Sequence, residues 1–302
     1  MNFLADTPPG NWPDAPAGAK FFSLDRLRHR CENRECPERG RVWPRWRARP
    51  EELAFEGRIY CGPACAEGAF ARGIERHLLR TRREPERPHR MPLGLLLVSR
   101  GLITSAQLQE ALLLQQERPG ARLGNLLLER AALNETALTA ALGVQWGCPV
   151  FPLEASPAYL DCARLVPLAL LRPAGVLPAH YSSATRVLHL AFTQRVDHTL
   201  LYAVEQMCAV RAVPCVAADR AVSEALRRLQ ALPAEESVFD SVRGAHEMAR
   251  MAAGYAARLR AARVQASGAA DQVWFRFENP RGAHDLLFHA PSPSPPPSRS
   301  PR

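Results

Sequence analysis

Two stretches of this sequence repeat each other: MPLGLLLVSRGLITSAQLQEALLLQQ at residues 91–116 and ARLGNLLLERAALNETALTAALGVQ at residues 121–145. An offset of thirty residues aligns Leu93 with Leu123 and Gly94 with Gly124. The same offset aligns further pairs, which are Leu96/Leu126, Leu97/Leu127, Arg100/Arg130, Leu108/Leu138, Ala111/Ala141, Leu112/Leu142 and Gln115/Gln145. Agreement at both ends and in the interior indicates a structural repeat and not a leucine-rich coincidence.

Each copy has the pattern of a short helix, a turn and a longer helix. In the first copy, apolar residues recur at helical spacing until Gly101, which we expect to end the short helix. Thr104 and Gln107 have the spacing of a capping box for the longer helix. In the second copy, Asn134 is the predicted N-cap. The sequence therefore predicts two equivalent helical hairpins, each ending in a glutamine.

The paired pattern resembles the two motifs of the MshEN family, the N-terminal domain of type II secretion and type IV pilus assembly ATPases. In that family each motif runs Arg-Leu-Gly, two hydrophobic residues, Gly, then leucines and a terminal Gln, and the pair binds cyclic di-GMP or, in some members, ATP. The second copy keeps Arg122, Leu123 and Gly124, whereas the first has Pro92 in place of the arginine and the second has Ala131 in place of a glycine. The resemblance implies an MshEN-like domain with a nucleotide ligand.

A cyclic dinucleotide suits such a pair of motifs. Purine faces favour flat apolar surface, while phosphates favour a fixed guanidinium and free backbone N–H groups. The loss of one guanidinium at a phosphate costs about 1.5–3 kcal/mol, or one to two decades of affinity. The alternative is that the leucines are helix-packing core, as leucine stripes usually are. The ligand-binding residues that the resemblance implies are Leu93, Gly94, Leu97, Leu108, Leu112, Gln115, Arg122, Leu123, Gly124, Leu127, Leu138, Leu142 and Gln145.

Two cysteine pairs near the N-terminus predict a metal site. Cys31 and Cys36 have four residues between them, Cys61 and Cys65 have three, and an aromatic-rich segment separates the pairs. Four thiolates from two tight turns can form a closed, tetrahedral, structural zinc site. The second pair resembles the last knuckle of a treble-clef finger, in which a helix begins near the last ligand. We expect a zinc-finger module at residues 21–83. The alternative is that the four cysteines are unrelated and buried, but so short a segment needs a metal ion or another cross-link to stabilise its fold.

The charge and composition of the chain indicate which classes of function to expect. The 302 residues carry a formal net charge of +9, almost all from arginine, since Lys20 is the only lysine. The arginines are mixed with glutamates and lack interleaved aromatics, so we do not expect nucleic-acid binding. The N-terminus lacks the pattern of a signal peptide, and no uncharged apolar run reaches the length of a membrane span. We therefore expect a bacterial protein of the cytoplasm, with reduced cysteines and no membrane insertion.

The rest of the chain is predicted from periodicity. Residues 146–231 alternate strands with helices, as expected for the α/β second half of an MshEN-like domain. We predict strands at 148–153, 175–181, 186–192 and 210–216, and helices at 158–165, 197–207 (capped by Asp197) and 219–229 (capped by Asp219). A C-terminal α+β unit at 238–290 is predicted to contain a helix over 239–266 and a hairpin over 273–288.

Together these features predict an α+β protein of several units. Residues 1–20 are predicted to be flexible, 84–91 to be a linker, 92–145 to be the tandem helical motif and 291–302 to be a disordered tail. The phosphate loop of an ATPase requires a lysine followed by Ser or Thr, and Lys20 is followed by Phe21. We therefore expect a non-enzymatic sensor or adaptor whose protein partner is a secretion or pilus component. The alternative is a ligand-free interaction scaffold.

Overall fold

The structure is a computed structural model, and it describes residues 28–39, 41, 43–44, 51–81, 90–153, 157–231, 236–239, 242, 244–269 and 272–289. The predicted flexible segment 1–20, most of the predicted linker 84–91 and the predicted tail 291–302 lie outside these residues. The fold class is α+β, as predicted.

The described elements are ten α-helices and eleven β-strands. The helices are α1 (Pro63–Thr81), α2 (Leu93–Ser99), α3 (Ser105–Glu117), α4 (Leu123–Glu129), α5 (Glu135–Trp146), α6 (Tyr159–Cys162), α7 (Leu168–Ala174), α8 (His198–Cys208), α9 (Asp219–Gln230) and α10 (Ala245–Leu259). The strands are β1 (Arg28–His29), β2 (Trp43–Pro44), β3 (Leu53–Phe55), β4 (Arg58–Tyr60), β5 (Val176–Ser182), β6 (Val187–Phe192), β7 (Arg211–Val216), β8 (Glu236–Phe239), β9 (Arg263–Ala269), β10 (Gln272–Asn279) and β11 (Gly282–His289).

Helices α2 to α5 are the two predicted helical hairpins. Gly101 has a φ of +67° and ends the first short helix in the left-handed region, which favours glycine. The side chain of Thr104 accepts from the backbone N–H of Gln107, whose side chain accepts from the Thr104 N–H, so the predicted capping box is confirmed. Asn134 caps α5 in the predicted way. Local capping signals therefore fix both hairpins.

Residues 157–231 form a three-stranded sheet, in the order β5-β6-β7, packed against helices. Asp197 caps α8 by accepting from two backbone N–H groups, as predicted. Two predictions here are wrong. Residues 148–153 do not form a strand, because they make only one parallel bridge, from Val150 to Val216. Asp219 is the first residue of α9 and not its cap, since Ala218 holds the cap position without a side-chain bond.

The prediction of one long C-terminal helix at 239–266 is also wrong, because the helix there is α10, Ala245–Leu259. Helix α10 ends at Leu259, where Arg260 adopts a left-handed conformation with a φ of +48°. Residues 263–269 then form β9, in the middle of a sheet. Alanine and arginine favour helices locally, but pairing with strands on both sides outweighs that preference. The predicted hairpin that follows is present as β10 and β11.

The finger segment and the C-terminal segment share one six-stranded sheet, in the order β4-β3-β9-β10-β11-β8. β3 pairs with β9 in parallel through Phe55 and Val264. Helices α1 and α10 pack on each other, and Phe70 lies 5.7 Å from Phe275 between ring centroids. The predicted domain bounds stay predictions; the structure adds that residues of 21–83 and 238–290 enclose a common core.

A buried ion pair on this sheet is bonded to the helical segments that pack against the three-stranded sheet. The guanidinium of Arg276 on β10 donates to both carboxylate oxygens of Asp285, each at 2.8 Å. It also donates to the carbonyl of Leu165 at 2.9 Å and to that of Met207 at 3.2 Å. Trp274 donates to the same carboxylate from 2.7 Å. One arginine therefore connects three separate parts of the chain.

Within the described residues, no helix combines the length and apolarity needed to cross a membrane.

Candidate functional sites

The two helical hairpins pack crosswise and reciprocally. Helix α2 of the first copy contacts α5 of the second, and α3 contacts α4. Gln115 donates to the carbonyl of Ala121 at 2.8 Å, and Gln145 donates to that of Met91 at 2.9 Å. Ala121 and Met91 are equivalent positions of the repeat. The terminal glutamine of each copy thus holds the start of the other copy's short helix, and a pseudo-twofold axis relates the copies.

The glycine of each Leu-Gly pair lies at a close helix contact. A Cβ on Gly94 would lie 2.5 Å from a Leu108 methyl and 3.3 Å from one of Leu123. A Cβ on Gly124 would lie 3.0 Å from a methyl of Leu138. Because Leu123 belongs to the second copy, the first turn of α2 lies directly against the first turn of α4.

We predict that Gly94→Ala destabilises the protein by about 1–3 kcal/mol, since a methyl group would overpack the contact with Leu108. Urea unfolding measures the change. The control is Gly254→Ala in α10, where a Cβ meets nothing within 4 Å. That substitution should raise stability by about 0.5–1 kcal/mol through helix propensity. Equal effects at the two glycines would contradict the packing described.

The thirteen predicted ligand residues differ in how far their side chains are exposed to solvent. Six are buried and pack between the hairpins: Gly94, Leu97, Gly124, Leu127, Leu138 and Leu142. The two glutamines are half-buried and bonded to carbonyl groups. The accessible remainder consists of Leu93, Leu108, Leu112, Arg122 and Leu123. A ligand could therefore touch only part of the predicted set directly, and the buried part would shape the surface beneath it.

The four predicted metal ligands come together. Their four Sγ atoms, those of Cys31, Cys36, Cys61 and Cys65, all lie within 4.8 Å of one another. Cys61 follows β4, and Cys65 lies in the first turn of α1, which begins at Pro63. The helix thus starts near the last ligand, as expected for the second knuckle of a treble clef.

The sulfur positions fit a tetrahedral metal ion. The Cys36 and Cys61 sulfurs are 3.6 Å apart, and those of Cys61 and Cys65 are 3.5 Å apart. Four sulfurs at about 2.3 Å from a zinc ion would be separated by roughly 3.8 Å. Cys31 and Cys36 are buried, and burial raises the pKa of the Cys61 and Cys65 thiols. The cluster could hold a metal ion, and four sulfur ligands would leave no open position for a substrate.

Comparison with known proteins bears on the region that follows the tandem hairpins. Residues 146–236 match the model of the MshEN domain family. This part of the chain is similar to the MshEN domain. Type IV pilus assembly ATPase PilB of Myxococcus xanthus (strain DK1622) is 28% identical over 142 residues, which are 46% of this chain. The match spans only 24% of the length of PilB.

Two solved structures are similar to part of this chain. The structure of MshE with cdg is 29% identical in sequence, and the match covers 46% of this chain and 99% of the MshE chain, with a TM-score of 0.38. The N-terminal domain of XpsE is 15% identical and matches 45% of this chain and 92% of that one, with a TM-score of 0.35. The MshEN family match begins at Trp146, the last residue of α5.

Two residues that the sequence pattern does not single out, Arg90 and Trp146, lie in contact where the hairpins meet the region matched as MshEN. The guanidinium of Arg90 lies 4.3 Å from the ring centroid of Trp146 and donates to the carbonyl of Gln145 at 3.2 Å. The first copy lacks an arginine at position 92, yet this arginine two residues earlier contacts the end of α5. The sequence feature that could have indicated Arg90 is its position two residues before Pro92, where the family motif has an arginine.

Proposed function

We propose that this protein is a non-enzymatic regulatory or adaptor protein that senses a nucleotide, either cyclic di-GMP or ATP, through the MshEN domain and its tandem hairpins. The observation that carries the proposal is the close approach of Leu123 to the start of α2, since a Cβ on Gly94 would lie 3.3 Å from a Leu123 methyl group. The first turns of α2 and α4 therefore lie side by side. A cyclic dinucleotide is itself twofold symmetric, with two purines and two phosphates. A pair of equivalent hairpins suits such a ligand better than a single hairpin does.

Arg122 is the residue best placed to bind a phosphate. It is exposed beside Leu123, and its guanidinium makes no hydrogen bond or ion pair with the described residues, while its backbone carbonyl accepts from the N–H of Leu126. Its neighbours are engaged, since Arg118 pairs with Glu129 and Arg130 with Glu110. A free guanidinium next to half-buried leucines offers both a phosphate contact and an apolar surface for a base.

Ligand binding would act by fixing the angle between the hairpins. Each hairpin is held to the other through the glutamine bonds and the glycine contacts, so a ligand across both turns would favour one mutual arrangement. A partner protein could distinguish that arrangement from the free one. PilB is named as a type IV pilus assembly ATPase, and we propose a partner from a pilus or secretion system.

We predict that Arg122→Ala weakens nucleotide binding by about ten- to a hundredfold, as expected for the loss of one charge-assisted contact to phosphate. Calorimetry with cyclic di-GMP and separately with ATP measures the affinity. Arg100→Ala is the matched control, because Arg100 is also exposed and ends the short helix of the other copy. Equal loss in both variants would argue against a phosphate contact at Arg122.

A structural zinc ion at Cys31, Cys36, Cys61 and Cys65 completes the proposal. The sulfur distances support it, and four thiolate ligands suit a folding role better than catalysis. We also propose a location in the cytoplasm, because a reducing compartment keeps cysteines in the thiolate form that holds a metal ion. A phosphate loop with its lysine is missing from the 302 residues, which supports a role other than ATP hydrolysis by this chain.

The second candidate is a ligand-free interaction scaffold with a structural zinc finger. The observation that favours it is the burial of six predicted ligand residues and the use of both glutamines inside the repeat. Those contacts would explain the repeat pattern without any ligand. Absence of binding heat with both nucleotides would support the scaffold, and heat that depends on Arg122 would support the sensor.

A further inference from the structure

A cavity of about 610 Å³ lies where the finger segment meets α10, and Cys65 of the cysteine cluster lines part of it. The other walls come from the loop after β1, from β4, from the first half of α1 and from the start of α10. Protein cavities that hold small ligands have volumes of about 300–1,000 Å³. This cavity is therefore large enough for a small molecule.

The hydroxyl of Tyr60 opens into this cavity. Tyr60 lines it, although only 2% of the residue is exposed. The hydroxyl makes no hydrogen bond with the described residues, and its oxygen is not among their fully buried atoms without a partner, so its small exposed area faces the cavity. Strand pairing with Leu53 holds the ring in place. A hydroxyl in this position costs stability unless a molecule in the cavity bonds to it.

Two arginines contribute guanidinium groups to the same cavity. Arg58 on β4 and Arg72 on α1 both line it, and neither guanidinium makes a hydrogen bond or ion pair with the described residues. The Arg72 side chain lies back along its helix, since a Cβ on Gly68 would be 3.5 Å from its Nη1. Both positive charges are close enough to act on the Tyr60 hydroxyl. Two guanidinium groups and a hydroxyl form a donor set that matches the oxygens of a carboxylate or phosphate.

Carboxylates on the same cavity favour a carboxylate ligand over a phosphate. Glu32, Glu35 and Glu67 line it, and none of the three forms an ion pair with Arg58 or Arg72. Their negative charges would repel the double charge of a phosphate and would attract a cationic group. Opposite charges that line one cavity without pairing fit a ligand that carries both charges.

We propose that this cavity binds a small zwitterion of the α-amino acid class. The ligand's carboxylate would accept from the Tyr60 hydroxyl and from the guanidinium groups of Arg58 and Arg72. Its ammonium group would lie toward Glu32 and Glu67. The cavity lies outside the tandem hairpins, so this inference does not depend on nucleotide sensing.

Ligand-observed NMR of the full chain with each of the common L-amino acids tests the proposal. We expect at least one amino acid to bind, and its N-acetyl and amide derivatives to bind about tenfold more weakly, because each derivative lacks one of the two charges. Inorganic phosphate should bind more weakly than the selected amino acid. Absence of binding by every amino acid at millimolar concentration would overturn the proposal, as would equal binding of the N-acetyl derivative or tighter binding of phosphate.

Tyr60→Phe separates a binding role from a structural one. It removes only the hydroxyl, so the affinity for the selected amino acid should fall about three- to tenfold while the melting temperature stays the same or rises. Arg72→Ala should weaken binding about ten- to a hundredfold. The matched control is Arg76→Ala, one turn further along α1, because Arg76 pairs with Glu56 outside the cavity. That variant should bind like the wild type. Unchanged affinity in both Tyr60→Phe and Arg72→Ala would overturn the proposal.

Discussion

Replacing Cys61 with Ser is expected to abolish metal binding and to disrupt the six-stranded sheet. Cys61 directly follows β4, and its sulfur lies 3.6 Å from that of Cys36 and 3.5 Å from that of Cys65. Zinc binding contributes about 10–16 kcal/mol in small finger peptides, as much as or more than the stability of a typical domain, which is about 5–15 kcal/mol. The loss of one of four ligands is therefore expected to have the largest effect of any single substitution.

The effect should extend beyond the finger. β3 pairs with β9, and α1 packs on α10, so disorder at the cysteines would expose part of the core that both segments share. Hydrogen exchange should show lost protection in β9 as well as in β3 and β4. Zinc content per chain and thermal unfolding by circular dichroism complete the measurement.

Cys148→Ser is the matched control for Cys61→Ser. Cys148 is half-buried like Cys61 and lies outside the cluster, and its thiol donates to the carbonyl of Trp146. This variant should keep about one zinc ion per chain and a near-native melting temperature. Unchanged zinc content and thermal stability in Cys61→Ser would remove the metal site from our account.

Arg276→Ala is expected to destabilise the protein by about 3–5 kcal/mol. Removing one member of a buried pair leaves the other charge without compensation. Here that charge is Asp285, whose side chain is 13% exposed and would retain only the 2.7 Å bond from Trp274. The carbonyl groups of Leu165 and Met207 would also lose a donor. Urea unfolding at neutral pH measures the loss.

Arg263→Ala provides the comparison for Arg276→Ala. Arg263 lies on the neighbouring strand and is 57% exposed, and its guanidinium is 3.8 Å from the carboxylate of Glu278. Exposed ion pairs of this kind contribute about 0–1 kcal/mol. A difference of less than about 1 kcal/mol between the free energies of unfolding of the two variants would mean that the bonds of Arg276 to Asp285, Leu165 and Met207 do not stabilise the protein more than an exposed ion pair does.

The features predicted correctly from the sequence depend on local signals. The capping residues Thr104 and Asn134, the stop at Gly101 and the period of the leucines all act within a few residues, and the helices follow them. The clustering of the four cysteines could also be predicted from the sequence, because the close spacing within each pair places both sulfurs in one tight turn.

What the sequence did not indicate depends on contacts between distant residues. The local pattern predicts helix over the first part of β9, because it does not encode pairing with β3 and β10, which lie on both sides of the strand in space. Gln115 and Gln145 were assigned to a ligand by resemblance, but the structure shows them bonded across the repeat. The role of Arg276 required the approach of Leu165, which is 111 residues away.

The central claim is that one nucleotide contacts both copies of the repeat. A titration of the leucine-methyl-labelled protein with cyclic di-GMP, followed by NMR, tests it most directly. We expect shifts at Leu93 and Leu108 of the first copy together with Leu123 of the second, all with one affinity, and no such shifts in Arg122→Ala. Shifts confined to one copy, or none at saturating ligand, would contradict the account.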